Sequence, residues 1–220
     1  MTRRLLLFGA CVGLGSSGCV STGMARTVDK GALQVSLAAG VQNVGSHNPR
    51  EEKLAPFISM PQVDLGVRYG LTDRIDVGAR LFLPGVAVDG RFALVRAPSL
   101  QSGVDLTVAP GLLYSHAGSG TYLDEPAMHA ELPLLLGVNM GGSQLVLGAR
   151  AGVLFNLKES PPSRGRSSLT VGTSLGVAVP FTSWLRLLPE LSLRVQATEG
   201  PYLPFILHAG VGVVFGGYKT

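Results

Sequence analysis

Apolar residues alternate with small or polar ones in this chain for about 9 to 13 residues at a time, and that pattern limits its possible folds most. It is clearest from Gln62 to Leu83, QVDLGVRYGLTDRIDVGARLFL. Val63, Leu65, Val67 and Tyr69 share one face of a first strand, with Gln62, Asp64, Gly66 and Arg68 on the other. Ile75, Val77, Ala79, Leu81 and Leu83 then oppose Asp76, Gly78, Arg80 and Phe82, and Leu71 to Arg74 supplies the polar turn between. The period is two throughout, so this is a hairpin. The pattern recurs in Gly31–Val41, Val86–Val95, Val104–Tyr114, Met128–Val138, Gln144–Phe155, Leu169–Val179, Leu185–Gln196 and Leu203–Phe215. Pro110 is expected to interrupt its ladder as a bulge does, and Gln42 to Pro61 reads as a long polar loop.

Soluble sheets also have one polar face, so further features must decide where these strands sit. Strands of this length suit a tilted crossing of a bilayer, whereas soluble strands average about 5 to 6 residues. Charged residues are 15% of the chain, against about 25% in typical soluble domains, and there are 30 glycines. The polar faces carry Gly, Ala and Ser, which suit a narrow lumen, and Lys30, Lys53, Lys158 and Lys219 all avoid mid-strand positions. Aromatics collect at strand ends: Tyr69, Phe181, Trp184, Phe215 and Tyr218 at one rim, Phe57, Tyr114, Phe155, Tyr202 and Phe205 at the other. No span after Gly18 approaches the ~18 uninterrupted apolar residues of a membrane helix. The expected fold is therefore all-β: a single antiparallel up-and-down transmembrane β-barrel of about ten strands, with 8 or 12 as alternatives, over residues 31–220.

The amino terminus reads as an export signal, with Arg3 and Arg4 ahead of the apolar run Leu5 to Gly15. Ser16-Ser17-Gly18-Cys19 resembles the bacterial lipoprotein signal, which implies an acylated Cys19 as first mature residue and a lipoprotein-sorting machinery as partner. Ser16 stands where that pattern has Leu, and cleavage after Ala25 is the alternative. On the first reading residues 1–18 are signal and 19–30 a periplasmic tether that needs no fold of its own. Loss of Arg3 and Arg4 lowers the net charge from +4 by two, which leaves no basic surface for nucleic acid.

At the other end, His208, Gly210, Val213 and Phe215 resemble the assembly signal of outer-membrane barrels, which implies the barrel-assembly machinery as a second partner. YGLTDRIDVG, residues 69–78, resembles hairpins of uncharacterised small Gram-negative envelope barrels. Connections alternate between short and long, as tight periplasmic turns and outer loops do, and an even strand count puts both termini in the periplasm of an outer-membrane protein in contact with lipid.

Inward-facing charges balance. Asp64, Asp76, Asp89, Asp105, Glu131 and Glu190 face Arg68, Arg80, Arg91, Arg150, Arg186 and Arg194, and in a narrow lumen such groups are expected to pair and fill the space. Asp64 with Arg80, and Arg68 with Asp76, are natural partners within the central hairpin. A structural or surface-interaction barrel with a plugged lumen therefore ranks first, without catalysis or cofactor. A narrow pore would favour one sign of charge. A rim enzyme ranks last: His47, Ser115, His116, Ser119, Asp124 and Glu125 lie in or beside outer loops, at no spacing shared with omptin-type proteases or lipid-modifying barrels. His129 and His208 face the lumen and are expected to be satisfied members of its polar network, with no metal.

Overall fold

The computed structural model describes residues 23–48, 53–54, 58–83, 85–116, 126–157, 167–197 and 203–218. Its strands are β1 (Leu33–Asn48), β2 (Lys53–Leu54), β3 (Ile58–Thr72), β4 (Ile75–Phe82), β5 (Gly85–Val95), β6 (Ser102–Val108), β7 (Gly111–Ser115), β8 (Ala127–Met140), β9 (Ser143–Asn156), β10 (Ser167–Pro180), β11 (Leu185–Gln196) and β12 (Leu203–Gly216). Sequential neighbours pair antiparallel, and β12 closes on β1 from Gln34↔Gly216 to His47↔Leu203. With β6 and β7 as halves of one strand and β2 a short ladder on the end of β1, the wall is a closed ten-stranded barrel. Closure leaves no unpaired edge, which a sheet in hydrocarbon requires.

Three local expectations change. First, β1 runs on to Asn48 and β3 starts at Ile58, because Gln42, Asn43 and Val44 continue the ladder opposite Met60, Ser59 and Ile58. Polar composition suggested loop, but backbone pairing decides, and His47 sits on a strand end. Second, Pro110 interrupts the ladder between β6 and β7 as expected, but without the register shift of a bulge. Val108 pairs with Leu134 on one side of it and Gly111 with Glu131 on the other, in one continuous alignment. The irregularity lies in the facing strand, between Ala93 and Val95. Third, Tyr218 leaves the proposed girdle. Gly216 and Gly217 take φ of +69° and +88°, which turn the chain inward and bring the Tyr218 hydroxyl to the Arg26 carbonyl at 3.1 Å.

Outward positions form an apolar belt in which Leu65, Val77, Leu147 and Leu191 are 43–49% exposed. Tyr69, Phe181, Trp184 and Phe215 are exposed at the end with the tight turns, Tyr114 and Phe155 at the end with the longer connections. Among the described residues no helix is long and apolar enough to cross a membrane. An arginine facing lipid near the midplane would cost about 2 to 4 kcal/mol, which fixes the register. In cysteine scanning with a lipid-soluble spin probe, those four positions should contact acyl chains. Contact at Arg68, Arg80, Arg150 or Arg194 would refute it.

The polar lumen as candidate functional site

None of the twelve charged residues expected on the inner face is exposed. The hub is Asp76, fully buried and paired directly across the ladder with Arg91. Arg91 Nη2 donates to Asp76 Oδ2 at 2.7 Å and its Nε to Oδ1 at 3.0 Å, while Arg68 binds Oδ1 from the other side. Arg68 also reaches Asp89 two strands away. It can do so because Gly78 lies between them: a Cβ there would stand 2.8 Å from the Arg68 guanidinium carbon. Glycine opposite a large polar side chain is the packing rule of this lumen. Gly66 makes room for Arg80, Gly172 for Arg150, and Gly152 for His129.

Across the barrel, Arg194 donates to Glu131 at 2.9 Å and contacts His129 Nδ1 at 3.2 Å, and His129 Nε2 meets the Thr170 hydroxyl at 2.8 Å. Asp64 lies 3.9 Å from Arg80. Arg150 has no carboxylate within ion-pair distance among the described residues, and Arg186 packs on Tyr218 instead. His208 differs from expectation: it is buried, yet neither ring nitrogen has a hydrogen-bond partner, since small Gly40 and Gly210 are its neighbours. Among the described residues no group of three His, Cys, Asp or Glu side chains could share a metal ion.

The largest departure is at the amino end. Residues 19–30 were expected as a tether without structure, but Met24, Ala25, Thr27 and Val28 are at most 1% exposed. Residues 23–29 fold into the barrel at the end with the tight turns and plug it. Their backbone is bonded to the wall: Ala25 N–H to Gln144 Oε1 at 2.9 Å, Val28 N–H to Asp76 Oδ2 at 2.7 Å, and the Thr107 hydroxyl to the Ala25 carbonyl at 2.6 Å. Arg91 donates to the Met24 carbonyl, Arg26 approaches Asp105 at 3.7 Å, and Arg96 pairs with Asp29. Asp105 further accepts from Asn139 and Gln144. Gly31, at φ +73°, makes the turn from plug to β1. Sequence reasoning missed this set because MARTVDK has no periodicity and its partners lie far along the chain. A buried Arg–Asp hub in the wall left with free acceptor positions was the only signal.

Towards the other end the lumen carries two apolar clusters, Val44, Met60 and Ile206 on one side and Phe82, Ala87 and Leu113 on another. Between these layers and the plug remains a cavity of about 60 Å³ lined by Arg68, Arg80, Arg91, Arg150, Asp89 and Glu131. That is room for a few waters. Of the rim residues weighed for catalysis, Ser115 is buried in the wall and His116 exposed beside it, while His47 is half-buried on β1. Ser119, Asp124 and Glu125 lie outside the described residues, as does Cys19.

No protein-family model matches the sequence, and no curated protein does. Solved structures do. The outer membrane protease OmpT of Escherichia coli superposes with a TM-score of 0.52 at 8% identity, over 89% of this chain and 99% of that one. The fold is that of Gram-negative outer-membrane β-barrels. An outer membrane channel of Pseudomonas putida F1 (TM-score 0.47, 10% identity, 90% and 99% covered) and OprG of Pseudomonas aeruginosa (0.37, 11%, 90% and 100%) also match. At such identities the likeness concerns fold alone.

Proposed function

We propose that this is an outer-membrane protein of a Gram-negative bacterium with both termini in the periplasm, acting through its surfaces as a structural or interaction barrel, neither conduit nor enzyme. The observation that carries this reading is the plug, which together with the charge network and apolar layers reduces the lumen to a small cavity. A pore needs a continuous wetted path. Reconstituted wild-type protein in planar bilayers should show no steady conductance, and a stable ion-selective open state would overturn the proposal.

The proposal includes acylation of Cys19 and delivery by the lipoprotein-sorting and barrel-assembly machineries, the latter reading the strand that holds His208, Gly210, Val213 and Phe215. The plug supports cleavage before Cys19, because cleavage after Ala25 would discard the Met24 carbonyl that Arg91 binds and the Ala25 N–H that Gln144 binds. Labelled palmitate should enter the wild-type protein and not Cys19→Ala, which should still fractionate with the outer membrane through its barrel. Labelling of both proteins alike would exclude Cys19.

A further inference from the structure

The plug and the tight turns enclose a second feature that the sealed lumen does not use. A cleft of about 600 Å³ opens at this end of the barrel, between the β5–β6 connection at Pro98–Gln101, the β8–β9 turn at Gly141–Gly142 and the β10–β11 turn at Pro180–Ser183. Arg26 from the plug, Arg186 and Tyr218 face it. Arg186 is only 7% exposed, yet no carboxylate lies within ion-pair distance of it among the described residues. Its guanidinium sits 4.9 Å from the Tyr218 ring centre and its Nε has no hydrogen-bond partner. Arg26 is tied to the Ala97 carbonyl at 2.8 Å and lies 3.7 Å from Asp105, and its Nε is also without a partner. Asp29, the carboxylate in the lining, is bound by Arg96.

Two guanidinium groups thus line one open cleft, and Arg186 has no carboxylate paired to it among the described residues. A buried cation held by packing alone is costly unless an anion completes it. Guanidinium forks match the oxygens of a phosphate group. The surroundings indicate what carries the phosphate. The β10–β11 turn that walls the cleft also displays Phe181 and Trp184 outward, 74% and 57% exposed, at the level of the membrane interface, and Leu100 adds an apolar wall. We propose that this cleft binds a phosphate group, supplied by an acidic phospholipid of the adjoining leaflet, with Arg186 and Arg26 as its ligands.

Trp184 is the sole tryptophan, so its emission reports on this turn alone. Refolded full-length mature protein in phosphatidylcholine nanodiscs would be titrated in one arm with inorganic phosphate and in the other by raising the phosphatidylglycerol fraction. A saturable emission change with phosphatidylglycerol, weakened about tenfold or more in Arg186→Gln and less in Arg186→Lys, is expected. Saturation by inorganic phosphate at comparable occupancy keeps the phosphate site and reassigns its source to a soluble compound. No saturable change in either arm, or equal binding by wild type and Arg186→Gln, overturns the site. Heat-modifiable gel mobility separates loss of binding from loss of the barrel, and Arg26→Gln tests the second ligand independently.

Discussion

Replacing Asp76 by alanine should destabilise the barrel by about 3 to 5 kcal/mol, the cost of stranding a buried charge after its partner is removed. Two arginines depend on it: Arg91 through donors at 2.7 and 3.0 Å, and Arg68, which would keep only Asp89. The Val28 N–H of the plug would lose its acceptor as well. Urea unfolding in lipid vesicles, followed by Trp184 emission, would measure this. The diagnostic comparison is the double change Asp76→Ala with Arg91→Leu, which removes both charges of the two-pronged cross-strand pair and should be more stable than Asp76→Ala alone. If the double variant is as unstable as the two single changes added together, the pair is not coupled as the geometry requires. Asp64→Ala, which removes a looser 3.9 Å contact to Arg80, should cost less.

Stability here is concentrated in polar contacts inside the wall because the outside is already satisfied by lipid. A soluble barrel gains by hiding leucine from water. In this one, Leu65 or Leu191 gains little from the fold itself, while each buried arginine must find its partners within the lumen or leave a penalty behind. The glycines follow from the same constraint. Arg68 reaches Asp89 only across Gly78, and Arg194 reaches Glu131 from β11 to β8 past the level of Gly172 and Gly152.

Much of this was legible in the sequence for a simple physical reason: strand orientation is a local property. Once Val63, Leu65 and Val67 face one way, Asp64, Gly66 and Arg68 must face the other, and the inward set follows without knowledge of partners. Pairing is less local. The within-hairpin contact of Arg68 with Asp76 could be anticipated, but Arg68 with Asp89 or Arg194 with Glu131 depends on which strands lie across glycines from one another. Least legible was the plug. Met24 to Asp29 shows no period, and Ala25 is bonded to Gln144, 119 residues away, so nothing local distinguishes it from the loose tether its composition suggests. Tyr218 was misplaced for the same reason, since it leaves the girdle only because the plug offers the Arg26 carbonyl and the wall offers Arg186.

Gly70→Ala should release the plug and leave the wall intact. A Cβ at Gly70 would overlap the carbonyl of Asp29, a backbone atom that no rotamer change can move aside. The same glycine donates its N–H to Ala32 and accepts from Gly31, so it fastens the turn by which the plug enters the barrel. Displacing that turn breaks several hydrogen bonds, each contributing about 0.5 to 1.5 kcal/mol, and more where charge is involved. Loss of about 3 kcal/mol raises the open population roughly a hundredfold. A cysteine at position 28, where Val28 is fully buried, reports that population in a background carrying Cys19→Ala. Thiol labelling of Val28→Cys should be slow in the otherwise native barrel and about a hundred times faster with Gly70→Ala. Gly90→Ala is the control, because the atom nearest to a Cβ there is a Phe92 ring carbon at 3.5 Å, and it should leave labelling slow. Fast labelling of Val28→Cys without any second change would mean that the segment is not docked in the lumen, and the sealed-barrel reading would fail with it.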